Sequence, residues 1–335
     1  MSKINTAPQP YCPSCGAIGI DQYAEVADYY FGSPGSWKIS KCSAPCGTVW
    51  LNPAPLPSEI VKAYDNYHTH GDKRQRKSWQ RRIRSLYEKL LNIRFGFLEV
   101  YRSLRQYRKS RRLMHLGALP HGRLLDVGCG SGRLLRRMKR LGWEVEGIDF
   151  DQEATANISR KYGIKTHVGD IRFLPFPAET FDAIVMNHAI EHVDDPVSVL
   201  QVCARLLRPG GRLVMITPNA LSVAHRRFGK YWRGLEVPRH FQVFSRQGLK
   251  NCVEKAGLTP LVSETFSCDA DVVYRVSEEM GCAQSGRPYD ALRSTKRAKL
   301  SMLAEHRHLQ QSPDCGEDIL MIATKPCPGA ERRSS

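Results

Sequence analysis

The sequence predicts an α/β protein: a mostly parallel sheet with helices on both faces, joined to a small four-cysteine head and a helical cap. Three observations predict it. Strand-like apolar runs alternate with helical stretches from residue 120 onward, and a glycine-rich turn follows the first of those strands. Cys12, Cys15, Cys42 and Cys46 crowd into the first fifty residues, apart from the other seven of the 11 cysteines.

The chain has 335 residues, enough for about two domains at roughly 150 residues each. Its 41% hydrophobic and 25% charged composition excludes wholesale disorder. No stretch of about 18 apolar residues occurs, so nothing is expected to span a bilayer. The opening MSKINTAPQPYC lacks the apolar core of a signal peptide, so a cytoplasmic protein is expected, with peripheral attachment to the inner membrane surface as the alternative.

Residues 1–56 form the expected head. Cys12 and Cys15 stand in CPSCG, and Cys42 and Cys46 in CSAPCG, with 26 residues between the pairs. Two such pairs on glycine-closed turns can bring four thiolates around one tetrahedral zinc. A unit of this size buries too little core to stand without a staple, which a structural metal supplies. Four reduced cysteines without metal, or a redox dithiol, are the alternatives. CPSCG does not sit between a strand and a helix, as a redox dithiol in a βαβ unit would.

Residues 57–119 form the expected cap. Pro53, Pro55 and Pro57 mark a linker, and Ser58 is placed to cap a short helix over SEIVKAYDNYH. Residues 73–112 then hold 15 Lys and Arg against Glu88 and Glu99, which is +13 of the chain's net +17. Trp79, Ile83, Leu86, Leu90 and Ile93 recur at helical spacing within it. This reads as a helical cap on the following domain or as a face for anionic lipid. Nucleic acid is disfavoured: the head lacks the paired cysteines and histidines of a base-reading finger, and no RNA-binding signature is present.

Residues 120–325 carry the chemistry. In RLLDVGCGSGRLLRRMKRLG, a short buried strand through Asp126 and Val127 runs into Gly128, Gly130 and Gly132, and a helix follows to Gly142. In WEVEGIDFD a second strand ends at Asp149, 21 residues after Gly128, where a carboxylate can hold both hydroxyls of a ribose. Up to this point an NAD site and an adenosyl site are equally served. A strand leading to Gly169 and Asp170, the strand FDAIVMN, the acidic step Glu191–His192 and LLRPGGRLVMITPN follow in order.

Together these segments resemble the class I S-adenosylmethionine-dependent methyltransferases over about residues 120–262, with five motifs in family order. The resemblance implies their seven-stranded sheet, with LTPLVSETF and EDILMIATK as the last, antiparallel pair. It also implies that Asp126 and the backbone of Gly128, Cys129 and Gly130 hold the methionine part of S-adenosylmethionine. Asp149 would take the ribose, Phe150 would lie against adenine, Asp170 and Ile171 would meet the adenine amine and ring, and Asn187 would line the cofactor side.

Asn187, His188, Glu191 and His192 follow the fourth strand, at the sheet edge where open α/β folds place their ligands. If this piece is helical, His188 and His192 lie four apart beside Glu191, and all three can meet one proton or metal. The stretch resembles the ubiquinone-pathway O-methyltransferases, in which an acidic residue and a Glu–His pair help bind a divalent ion. Here His188 takes the first acidic position, while Glu191 and His192 match. VPRHFQVFS resembles the PxHxxxF region of methyltransferases that modify sugars, quinones and other metabolites. His240 within it is the leading general-base candidate, and His188 the second. Residues 267–316 should form an insert of two helices, and residues 326–335 a disordered tail. The expected activity is methyl transfer to a small-molecule hydroxyl of a sugar, secondary metabolite or cell-envelope precursor. A lipid-linked or quinone-like acceptor at the membrane is the alternative, and a zinc-containing nucleic-acid or partner-binding module on a methyltransferase scaffold is the non-enzyme one.

Overall fold

The computed structural model describes residues 4–64, 86, 87, 90 and 99–327. Most of the basic run, with Trp79, Ile83 and Ile93, and the tail from residue 328 lie outside the described residues.

The head contributes β1 (Thr6–Ala7), β2 (Gly19–Val26), β3 (Trp37–Cys42), β4 (Val49–Leu51) and β5 (Ala54–Pro55). In place of the helix expected from Ser58, a 3-10 turn spans Ile60–Tyr64. Helix α1 (Glu99–Arg111) leads into the main domain, which runs β6 (Arg123–Val127), α2 (Arg133–Arg140), β7 (Glu144–Asp149), α3 (Gln152–Tyr162) and β8 (Lys165–Val168). It continues through β9 (Phe181–Asn187), α4 (Pro196–Leu206), β10 (Leu207–Pro218), α5 (Val223–Phe228), β11 (Gln242–Val243), α6 (Arg246–Lys255) and β12 (Thr259–Phe266). The two helices expected between the last strands are α7 (Ala270–Gln284) and α8 (Ala291–His308), and β13 (Asp318–Thr324) closes the fold.

The seven-stranded sheet has the order β12-β13-β10-β9-β6-β7-β8, with β13 antiparallel to both neighbours and the other pairings parallel. Its central strands are buried on both faces, which is why they read as unbroken apolar runs. Alternate residues serve opposite layers. Leu125, Ile184 and Met186 join a core with α4 and α6. Leu124, Ala183 and Val185 join one that also takes in Leu104 of α1 and Trp37, Ile39 and Leu51 of the head.

The head is stitched to this domain by backbone. Strand β11 pairs antiparallel with β4, giving a second sheet of order β11-β4-β3-β2. Leu51 N donates to Phe241 O at 3.0 Å, and Phe241 N donates to Glu191 O at 2.9 Å. A strand of the head is thus one residue removed from the loop that follows β9.

Candidate active site

At the end of β6 the chain turns back on glycine. Gly128, Gly130 and Gly132 have φ of 78°, 51° and 68°, the left-handed region that a side chain disfavours. The amides of Gly128 and Cys129 both donate to Ile148 O, at 2.8 and 2.9 Å, which locks the turn to β7. Gly130 N donates to Asp149 Oδ2 at 2.7 Å, and Asp151 N to Oδ1 at 3.0 Å. A Cβ on Gly128 would strike Ala189 at 2.9 Å, whereas one on Gly130 would meet nothing within 4 Å, so the turn opens onto free space.

Two carboxyls border that space. Asp126 is buried, and burial together with the charge of Asp149 pushes its pKa up to about 7. Such a site favours a cation, which a sulfonium and a methionine ammonium both are. Phe150 is 73% exposed beside Asp149, while Ile171 is buried. Asp170 caps the 3-10 turn Ile171–Phe173 and is clamped by Arg172, which also binds Asp194. Burial raises the Cys129 thiol, with Asp126 adding to the effect, so the group is no thiolate nucleophile. The open glycine turn and the two acids are what the methionine and ribose ends of S-adenosylmethionine would need.

On the acceptor side the chain departs from a helical reading. His188 has φ 53° and stands outside the 3-10 turn Ile190–His192, so His188 and His192 do not share a helix face. The left-handed residue turns the His188 ring back onto Glu191, with Nδ1 3.3 Å from Oε1. Glu191 has no exposed surface, and its Oε2 accepts from Thr217 Oγ1 at 2.9 Å. Burial opposes its ionisation, but the hydrogen bond and charge of His188, helped by His192 and His240, hold it down to about 2. Burial likewise works against a charged His188; Glu191 and Asp318 outweigh it and raise the imidazole above the ordinary histidine range.

His192 faces the other way. Its Nδ1 lies 3.2 Å from Tyr64 Oη and 3.1 Å from Arg239 O, and its ring meets His240 edge-on at 4.6 Å. His240 is buried, its Nδ1 held by Gly234 O at 2.8 Å, and burial followed by the charge of His192 lowers its pKa to about 4. It is packed within the β11 loop, where an acceptor would have to displace it. Of the two base candidates, His188 is the more open.

Ligand atoms of Glu191, His192 and His240 lie within 4.8 Å of one another. A divalent ion there would share Glu191 with His188 and Thr217. Sequence reasoning missed Arg111 and Thr217, which complete the His188–Glu191 group, and Arg239, which holds His192 through its carbonyl. Arg111 is one cation in a basic run, and only its contact at 3.4 Å with His188 distinguishes it.

In the head, Cys12 Sγ lies 3.5 Å from Cys46 Sγ, and Cys15 Sγ lies 3.4 Å from Cys42 and 3.5 Å from Cys46. These separations exceed a disulfide's ~2 Å and approach the ~3.8 Å edge of a tetrahedral zinc–thiolate site. The hydrogen bond from Cys12 lowers the Cys46 thiol to about 4, while burial, followed by Cys46, pushes Cys42 up to about 12. The donor set fits zinc.

Residues 101–263 match the family model described as a methyltransferase domain. The ubiquinone biosynthesis O-methyltransferase of Hahella chejuensis is 41% identical over 109 residues, covering 30% of this chain and 45% of that protein. Its counterpart in Xanthomonas oryzae pv. oryzae is 40% identical over 122 residues, covering 34% and 49%. Phosphoethanolamine N-methyltransferase 2 of Haemonchus contortus, solved with S-adenosyl-L-methionine, has 17% identity and a TM-score of 0.45 over 66% of this chain and 52% of its own. Over residues 101–263 the chain is thus similar to methyltransferase domains, and the glycine turn and the central strands of the sheet lie within that stretch. The chain spans about half the length of the curated relatives it matches.

Proposed function

We propose that the protein transfers a methyl group from S-adenosylmethionine to a hydroxyl of a small molecule, such as a sugar, a secondary metabolite or a cell-envelope precursor. The observation that carries this reading is the His188–Glu191 pair, set at the carboxyl end of β9 beside the glycine turn. Nδ1 of His188 faces a buried carboxylate oxygen at 3.3 Å, which favours this ring orientation and leaves Nε2 to take a proton. S-adenosylmethionine supplies an electrophilic methyl on a sulfonium; the acceptor oxygen's electron pair forms the new bond and the sulfur keeps the pair of the broken one. The protein's part is to place the oxygen in line and remove its proton. Asp149 holds the ribose, Asp126 and the backbone of Gly128, Cys129 and Gly130 hold the methionine end, Phe150, Asp170 and Ile171 border adenine, and Asn187 lines the cofactor side.

Zinc on Cys12, Cys15, Cys42 and Cys46 would be structural, since four protein ligands leave no open position. It would hold the head whose strand β4 pairs with β11.

A quinone-like or lipid-linked acceptor at a membrane surface is the second reading. It is favoured by the names of the ubiquinone biosynthesis relatives and by the basic run of residues 73–112. No helix among the described residues is long and apolar enough to cross a membrane. Transfer of labelled methyl from S-adenosylmethionine into host extract, followed by phase partition, separates the two. Label in aqueous small molecules supports the first reading, label in the organic phase the second, and no incorporation overturns both.

A further inference from the structure

We infer that Arg111, from the helix preceding the methyltransferase sheet, is a catalytic residue: its guanidinium meets the acceptor oxygen opposite His188 and carries the negative charge that forms there. The inference rests on the base role proposed for His188. Nη2 of Arg111 lies 3.4 Å from Nε2 of His188, the one ring nitrogen that Glu191 leaves free. An arginine beside the lone pair of a base does not assist that base, because it occupies the site the proton must enter. The contact has a use once an oxygen stands between the two groups.

The guanidinium is braced for that position. Asp269 takes Nη1, and the ring of Phe266 lies 5.7 Å from the guanidinium carbon. Arg108, one helical turn earlier, shares Asp269 with Nε at 3.1 Å from Oδ1 and reaches Asp271 at 3.6 Å. Tyr107 donates to Glu264 Oε1 at 2.9 Å, so α1 is fastened to the end of β12 and the start of α7. Asp269 is the N-cap residue of α7, yet its side chain makes no capping bond; it is spent on the two arginines. Nε of Arg111 is buried with no hydrogen-bond acceptor placed on it among the described residues, and the Cys268 side chain adds to the groups that keep the guanidinium charged. Asp318 and Asp269 oppose the effect of burial and keep the group charged.

An oxygen bonded to both nitrogens at about 2.8 Å would part them to roughly 4.6 Å. The acceptor therefore enters by moving the guanidinium outward by about 1 Å. As the O–H proton passes to Nε2, the charge left on oxygen falls to Arg111, and it disappears when the oxygen is methylated. The interaction is strongest in the transition state and weak in the neutral ether product, the condition for a gain in rate.

Arg111→Met, Arg111→Lys and His188→Ala test this. Nitrogen-15 spectra of labelled histidine, taken without acceptor, read the hydrogen bond on Nε2 of His188. The Met substitution should shift that resonance and the Lys substitution should largely preserve it. Incorporation of labelled methyl into host extract at limiting acceptor should fall roughly 100-fold with Arg111→Met, with partial recovery in Arg111→Lys and unchanged binding of S-adenosylmethionine, which also reports folding. Wild-type incorporation by Arg111→Met, with His188→Ala inactive, overturns the role of Arg111 and leaves the base in place. Full incorporation by His188→Ala overturns the base instead. If the wild-type protein labels nothing, methyl transfer falls as the function, and an unmoved Nε2 resonance in Arg111→Met then overturns the contact itself.

Discussion

The guanidinium of Arg239 lies 2.8 Å from the carboxylate of Asp28, 211 residues earlier in the chain, and both are buried. The same arginine binds Glu236 through Nε at 3.1 Å, donates to Ala63 O at 2.9 Å and Ser33 Oγ at 2.6 Å, and lies over Phe31. Burial disfavours the charge on Glu236, but Arg233, His240 and Arg239 hold its carboxyl well below the usual range. One side chain thus joins the cysteine head, the turn that ends at Tyr64 and the β11 loop, while its own carbonyl faces His192.

Replacing Arg239 by methionine leaves two buried carboxylates short of a counter-charge. The expected loss is about 3–5 kcal/mol of stability, read as a lower urea midpoint with unchanged slope. Asp28→Asn should lose less, because the amide oxygen still accepts from Arg239. A wild-type midpoint in Arg239→Met would show that the interface between head and domain does not depend on this arginine.

The head is expected to bind about one zinc per chain, and Cys46→Ser to bind markedly less. Ser245 Oγ donates to Cys46 O, and Lys255 donates to Ser14 O at 2.9 Å, so disorder in the cysteine turns reaches α6. The glycine turn of β6 draws no hydrogen bond from the head among the described residues. Cys46→Ser should therefore lower the thermal midpoint and methyl transfer while binding S-adenosylmethionine near wild-type strength. Metal analysis, thermal unfolding and calorimetry check the three parts, and zinc-free wild-type protein from metal-replete medium would remove the assignment.

The glycine turn and its acid were legible because their geometry is local. A strand that must stop, glycines that must take positive φ and an acid ending the next strand all lie within residues 123–149, and the structure sets them on β6 and β7 as that spacing requires. The His188–Glu191 group was not legible, because its partners come from distant segments. Arg111 and His188 are 77 residues apart, and Glu191 meets Thr217 across 26. Helical periodicity also misplaced His188: one left-handed residue sent its ring to Glu191 and left His192 to His240. The pairing of β4 with β11, a strand of two residues, carries no pattern from which it could be foreseen.

In the proposed cofactor site, Asp126 would make binding sensitive to pH. Its carboxyl, raised to about 7 by burial and by Asp149, is partly protonated at neutrality without ligand, and a cationic ligand favours the ionised form. Affinity for S-adenosylmethionine should therefore weaken as pH falls below about 7, approaching tenfold per unit, and level off at higher pH. Asp126→Asn should bind more weakly at pH 8 and lose this slope. Calorimetry at several pH values checks both, while Asp149→Ala should abolish measurable binding, as its carboxylate also holds the Gly130 amide.

Glu191 would set the pH at which His188, the proposed base, loses its proton. With Glu191 and Asp318 raising the imidazole against burial and Arg111, the unprotonated form accumulates only above the ordinary histidine midpoint. Methyl transfer should accordingly rise with pH through that raised midpoint and then plateau. Glu191→Gln removes the main contribution opposing burial, so the midpoint should move down. The plateau should also fall, by about 100-fold, because an unpositioned base loses most of its effect. A loss at every pH with the midpoint unmoved would make Glu191 structural only, and a lowered midpoint with an undiminished plateau would confine it to tuning. The two changes together are what a carboxylate that both orients and charges its histidine requires.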